Sequence, residues 1–163
     1  ANSVMSELMP YVDVCIANEE DAADVFDIHA EGTDVNTGKI SKEGYISVAQ
    51  KIADRFGCSS VAITLRSSIS ATDNKWAGML YQNGTACFSP EYLVHIVDRV
   101  GGGDSFGGGL IHSLMNHYDQ QQAINFAVAA SCLKHTIEHD FNLVTKAEVA
   151  SLASGNASGR VQR

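Results

Sequence analysis

The stretch Asp98-Arg99-Val100-Gly101-Gly102-Gly103-Asp104-Ser105-Phe106 decides how the rest of the sequence is read. It follows an apolar run from Tyr92 to Val97 that has the length and composition of a strand, and it leads into residues 104–117, which read as a helix. Glycines between a strand and a helix let N–H groups converge at the helix N-terminus, where unpaired donors and the helix dipole favour an anion. Asp104 is then a carboxylate beside an anion site, placed to take a proton from a hydroxyl as it attacks phosphorus. The plainer alternative is that Asp104 caps the helix and the glycines make a tight turn, since Asp is a preferred N-cap. Two other phosphate-binding patterns are excluded by spacing. G-x-x-x-x-G-K-[ST] occurs nowhere, and counted from Gly101, Phe106 stands where G-x-G-x-x-G needs its last glycine. Gly107, Gly108 and Gly109 follow within the predicted helix, each costing about 1 kcal/mol relative to Ala, so close packing against a backbone or a ligand is expected there.

Upstream, Tyr11 to Ala17 reads as a strand, and Asn18-Glu19-Glu20-Asp21 opens a helix with acidic residues that complement its dipole. A loop-rich stretch from His29 to Ser41 precedes a helix from Glu43 to Phe56, closed by Gly57. Ser60 to Leu65 is a β-branched run of strand length, and Trp76 to Tyr81 with Thr85 to Phe88 flank Asn83-Gly84, a strong hairpin signal. Downstream, Gln120 to Glu138 reads as a helix with Ala123, Phe126, Ala127, Ala130 and Leu133 on one side. Thr145 to Leu152 reads as another, opened by the capping box Thr145-Lys146-Ala147-Glu148. Strands alternating with helices, broken by one hairpin, predict an α/β layered fold with a mixed sheet. Residues 1–153 are expected to form one unit, with 154–163 a disordered tail.

With 163 residues the chain is long enough to bury a core. A net charge of −8 argues against a nucleic-acid partner, because neutralising phosphates needs clustered Lys and Arg. Any phosphate must be held by a local device such as backbone N–H groups or a metal. Cys15, Cys58, Cys87 and Cys132 lie far apart among apolar neighbours and read as reduced, buried residues of a cytoplasmic protein. No uninterrupted apolar run approaches the roughly 18 residues of a membrane helix.

The Asp98–Phe106 stretch resembles the C-terminal signature of the ribokinase-like, PfkB-type carbohydrate kinases, D-T-x-G-A-G-D-x-F, in both aspartates, two glycines and the phenylalanine. Arg99-Val100 and the run Asp140-Phe141-Asn142-Leu143-Val144-Thr145 look most like the 2-keto-3-deoxygluconate kinases within that family. The resemblance implies a three-layer αβα fold, ATP and Mg²⁺, a small sugar-acid substrate, Asp104 as catalytic base and Gly101, Gly102 and Gly103 as the anion hole. Asn18 to Asp21 resembles the family's N-x-x-E segment, with Asp21 in place of its Glu. Metal assistance is therefore expected from Asn18 with Glu20 or Asp21. Thr64-Leu65-Arg66 resembles the T-L-G nucleotide segment, and Arg66 either contacts ATP phosphates or faces solvent. Asp98 and Arg99 are expected on the nucleotide side. Ala130 and Ser131 are expected at the adenine-pocket wall, unless that helix face is only core packing. The resemblance runs from Val12 to Leu152 but corresponds to the second half of such a kinase. The chain is thus expected to be a piece lacking the N-terminal sugar-binding half, inactive alone, with an exposed sheet edge that invites homo-oligomers.

His135 and His139, four apart on the predicted helix, form a weaker pattern, since H-x-x-x-H lacks the H-E-x-x-H chemistry. Besides a kinase, the sequence leaves open a non-catalytic nucleotide- or anion-binding module and a metal hydrolase using those two histidines.

Overall fold

The computed structural model describes residues 1–29 and 41–155. The loop-rich stretch predicted after His29 and most of the predicted tail therefore lie outside the described residues. Contacts divide the chain into two compact units, Ala1–Leu65 with Met79–Cys87, and Arg66–Gly78 with the residues from Phe88 on.

In the first unit, helix α1 (Asn2–Leu8) buries no side chain, and a 3-10 turn at Met9–Tyr11 follows it. The turn closes with the Val12 N–H donating to the Met9 carbonyl at 3.0 Å, so strand β1 is shorter than the sequence predicts, Val14–Ala17. Helix α2 (Glu19–Phe26) is capped reciprocally: Asn18 Oδ1 accepts from the Asp21 N–H at 2.7 Å, and Asp21 Oδ2 accepts from the Asn18 N–H at 3.1 Å. Helix α3 (Lys42–Phe56) starts where Ser41 Oγ accepts the Gly44 N–H and ends at Gly57, as the spacing predicts. Its Val48, Ala49 and Ile52 are buried, and Phe56 packs on Phe26 with ring centroids 4.8 Å apart. Strand β2 (Ser60–Ser68) runs parallel to β1, pairing Val14 with Ser60 through Ala17 with Ile63. Strand β3 (Asp73–Gln82) turns through Asn83 (φ 52°) and Gly84 (φ 76°) into strand β4 (Thr85–Phe88). Two successive positive φ values are what a two-residue type I′ hairpin requires.

In the second unit, strand β5 (Tyr92–His95) lies antiparallel to the first half of β3, with Asp73 opposite His95 and Trp76 opposite Tyr92. Strand order is β1-β2-β3-β4 with β5 also on β3, a mixed sheet within an α/β fold. Helices α4 (Gly102–Met115), α5 (Gln120–Lys134) and α6 (Lys146–Ala153) complete the unit. Asp119 with Gln122 and Thr145 with Glu148 form the capping boxes that open α5 and α6. Helix α5 is buried nearly all round, including Ala123, Phe126, Ala127, Val128 and Ala129. Its partner α4 comes so close that a Cβ on Gly109 would stand 3.0 Å from Ala127 Cα and 3.2 Å from Ala130 Cβ.

Two predicted helix boundaries are corrected. Helix α4 begins at Gly102, not Asp104, because Gly101 takes φ 76° and itself occupies the N-cap. Helix α5 stops at Lys134, not Glu138, because the His135 carbonyl accepts the N–H groups of Val97 (2.8 Å) and Asp98 (3.3 Å). Among the described residues no helix is long and apolar enough to cross a membrane. All four cysteines are free, and Cys15, Cys58 and Cys132 are buried while Cys87 is only half-buried, a departure from the expected pattern. Burial pushes the thiols of Cys15 and Cys132 up to about 11.

Candidate functional site

The second unit brings the glycine run together with two loops that sequence spacing does not connect. Gly101 can occupy the N-cap only without a side chain: its φ is left-handed, and a Cβ there would overlap the Asp140 carbonyl oxygen and meet Lys134 Cε at 3.2 Å. Gly102 lies over the His135 ring, and its carbonyl accepts the Ser131 hydroxyl at 2.8 Å. A Cβ on Gly103, by contrast, would meet nothing within 4 Å. Among the described residues the N–H groups of Gly103 and Asp104 have no hydrogen-bond partner, while Ser105 N–H returns to the Gly101 carbonyl at 2.9 Å. The first turn of α4 thus leaves two donors unpaired at the positive end of a helix dipole.

Asp104 falls in that first turn, exposed and without a side-chain hydrogen bond. It is not the N-cap, so the capping alternative raised by the sequence does not explain it. Beside it opens a cleft of about 430 Å³ whose lining includes Asp104, Gly108, Phe126, Ala130, Asn142 and Lys146. The lining mixes apolar Phe126, Ala130 and Val149 with polar Asp104, Asn142 and Lys146, and Gly108 adds no bulk, since a Cβ there would have nothing within 4 Å. The His112 ring stacks on Phe126 at 5.2 Å and also faces the cleft. Asn142 is fixed from both ends, donating to the Ala130 carbonyl and accepting the Val144 N–H, each at 3.2 Å.

Asp98 fastens the turn. Its Oδ1 accepts the Val100 N–H at 3.0 Å and its Oδ2 the His139 N–H at 2.9 Å, and these backbone donors hold its carboxyl below the usual range. Arg99 donates to the Ala71 carbonyl at 2.8 Å. Of the residues expected at the nucleotide, Ala130 lines the cleft, whereas Ser131 is fully buried and braces Gly102 from behind. Arg66 is an exposed residue of β2 whose charge reaches His135. Thr64 is half-buried on the same strand within the first unit.

The expected metal residues also lie in the first unit. Asn18 and Asp21 spend side-chain atoms on each other's backbone, which leaves Glu20 as an exposed carboxylate outside the capping box. No group of three or more His, Cys, Asp or Glu is arranged to hold a metal among the described residues. His135 and His139 do not share a helix face. His135 is buried at the end of α5 with Nδ1 bonded to the Ser131 carbonyl at 2.7 Å, and His139 has φ 65° in the loop beyond. The predicted pair is therefore corrected: the helix that would align the two rings ends before either of them.

Lys134 was not singled out in the sequence, and His135 was singled out only as a metal-ligand candidate. Both are buried, the former completely, directly behind the glycine turn. A charged residue at the end of an amphipathic helix ordinarily reads as surface. Burial pulls the His135 imidazole below its ordinary value.

A turn with unpaired N–H donors, an unengaged carboxylate in the same helical turn and an adjoining half-apolar cleft define a class of α/β protein equipped to hold a ligand by its anionic end. The chain belongs to the pfkB family of carbohydrate kinases, whose sequence profile matches residues 1–138. It is 47% identical to 2-dehydro-3-deoxygluconokinase of Thermotoga maritima, with a TM-score of 0.87 over 94% of this chain and 45% of that one. A PfkB family carbohydrate kinase of Listeria grayi is 32% identical, with a TM-score of 0.79 over 94% of this chain and 44% of that one. Among curated proteins, the 2-dehydro-3-deoxygalactonokinase of Haloferax volcanii is 24% identical across 98% of this chain and 43% of its own length. The fold is thus ribokinase-like, as the resemblance implied, and the chain spans less than half the length of these relatives.

Proposed function

We propose that the protein carrying this chain is an ATP-dependent kinase that phosphorylates a hydroxyl of a small sugar acid, 2-keto-3-deoxygluconate, and that this chain supplies the nucleotide side of the site. The observation that carries the reading is Asp104, exposed and unengaged in the first turn of α4, beside N–H groups of Gly103 and Asp104 that have no other acceptor among the described residues. The sugar class rests on the 47% identity with the Thermotoga maritima enzyme.

In this reading the nucleotide lies in the cleft beside Phe126 and Ala130, with its terminal phosphate toward the first turn of α4. The Gly101–Gly103 turn stabilises charge on the transferring phosphoryl group, and Asp104 takes the proton of the attacking hydroxyl. Neither role asks those groups to abandon an existing partner. Mg²⁺ would be held mainly by phosphate oxygens and water, with Glu20 or the free oxygen of Asp21 assisting through water, and would neutralise phosphate charge. Arg66 and Arg99 are assigned to the phosphate side as exposed cations, and Thr64 and Asp98 to the nucleotide side. The cytoplasm is the assigned compartment, from the free cysteines. Because the relatives are more than twice as long, we assign the acceptor-binding residues to a part not contained in this chain and expect this chain alone to bind nucleotide without turnover.

The test is Asp104→Asn in the whole gene product that carries this chain, assayed with MgATP and 2-keto-3-deoxygluconate. Turnover should fall by about 10²–10⁴-fold with little change in the KM for ATP. Turnover near wild type would refute the role of Asp104. Nucleotide binding by calorimetry with no phosphorylation of any sugar acid by the whole gene product would replace the kinase reading with that of a binding module.

A further inference from the structure

Lys134 is a residue for which fold stability alone gives no reason. It is the last residue of α5, none of its surface reaches solvent, and its Nζ donates to a single acceptor, the Ile137 carbonyl, at 3.0 Å. An ammonium carries three donors, and burying one costs more than one hydrogen bond to a neutral carbonyl returns. Its other electrostatic relations are a pull on Asp98, each of whose oxygens already accepts one N–H, from Val100 and from His139, and a push on the His135 ring. The location is also unfavourable by itself. Lys134 Cε would stand 3.2 Å from a Cβ on Gly101, so its charge sits at the N-terminus of α4, where the helix dipole is already positive. Positive beside positive is stabilised when an anion occupies the far side of the turn.

We propose that Lys134 is a positioning residue of the phosphoryl site: from behind the Gly101–Gly103 turn, its ammonium raises the positive potential that the turn's N–H groups present to a bound phosphate. It does so without touching the ligand, since the N-cap glycine lies between them. The lack of a side chain at Gly101 is what allows the charge to approach this closely. The competing structural role is a staple, in which Lys134 serves only to hold the loop after α5 through Ile137. The inference rests on the phosphoryl-transfer reading, and its test includes a readout that needs no sugar.

Two variants separate charge from staple. Lys134→Gln keeps an N–H donor on a shorter arm but loses the charge, and Lys134→Met loses both while keeping most of the volume. Replacement of a buried charge by an apolar group of similar size is often neutral or stabilising, so folding is expected to survive, checked by the urea midpoint. In the whole gene product both variants should lower kcat by about 10–100-fold at an unchanged KM for the sugar acid. In this chain alone both should weaken inorganic tripolyphosphate by about 10-fold or more in calorimetry. Wild-type kcat and tripolyphosphate affinity in a folded Gln or Met variant would overturn the proposal. If the wild-type gene product phosphorylates no sugar acid, the kinase reading fails, and an equal or weaker tripolyphosphate affinity still decides the role of Lys134.

Discussion

Gly108 and Gly109 are adjacent on α4 and offer the same backbone change in two different surroundings. Replacing either with Ala removes the entropic cost of a helical glycine, a gain of about 0.5–1 kcal/mol. At Gly108 nothing opposes that gain, because the new methyl meets no atom within 4 Å. Gly108→Ala should therefore stabilise the chain by about 0.5–1 kcal/mol. At Gly109 the methyl would stand 3.0 Å from Ala127 Cα and 3.2 Å from Ala130 Cβ. The first of these is backbone on a buried helix, so α4 and α5 must separate by several tenths of an ångström, an overpacking cost of about 1–3 kcal/mol. Gly109→Ala should be destabilising by up to about 2 kcal/mol net, so that the two variants differ in sign. Urea unfolding followed by Trp76 fluorescence reads both midpoints. Gly108→Ala should in addition weaken ATP, since its methyl projects into the cleft, and calorimetry on the same samples would show stability and affinity moving in opposite directions. Shifts of the same sign and size in the two midpoints would refute the packing argument for the α4–α5 contact.

Burial keeps the folded His135 ring neutral at a pH where the unfolded chain takes up a proton. Its contribution is complete above the unfolded value, about 6.5, and is lost as pH falls toward the depressed folded value, at up to about 1.4 kcal/mol per pH unit. Urea midpoints measured from neutral to mildly acid pH should fall more steeply for wild type than for His135→Gln, and equal slopes would remove the argument. Gly101→Ala combines a left-handed φ, costing about 1–2 kcal/mol, with an overlap on the Asp140 carbonyl. It should lower both the urea midpoint and tripolyphosphate affinity, and a variant of wild-type stability would show that the turn tolerates a side chain.

How much of this was legible in the sequence depends on whether a signal was local. The type I′ turn at Asn83-Gly84, the box from Thr145 to Glu148 and the stop at Gly57 are local devices, and each appears where spacing places it. Helix α5 was read four residues too long because His135 to Glu138 have no breaker. What ends the helix is a carbonyl taken by Val97 and Asp98, nearly forty residues upstream. Asp104 was visible as chemistry but misplaced by two positions, since a run of three glycines does not say which one adopts the left-handed φ. Ser131 was named for the adenine side, but its brace on Gly102, like the burial of Lys134, was hidden for another reason: their neighbours, Gly102 and Gly101, come from the start of a different helix. The α1 helix, with no buried side chain, gives no apolar periodicity to read.

The Asp98 carboxylate, holding Val100 with one oxygen and His139 with the other, makes segments 98–103 and 131–140 a single exchangeable part. A designer who grafts the glycine turn of a relative into this chain would import an aspartate whose second anchor belongs to the host loop, and a hydroxyl brace at Ser131 that fits only one placement of the Gly102 carbonyl. Transplants of either segment alone should yield mismatched hybrids, whereas moving both together should carry the site intact. For the same reason, substitutions accumulating at one of these segments over descent should be accompanied by changes in the other.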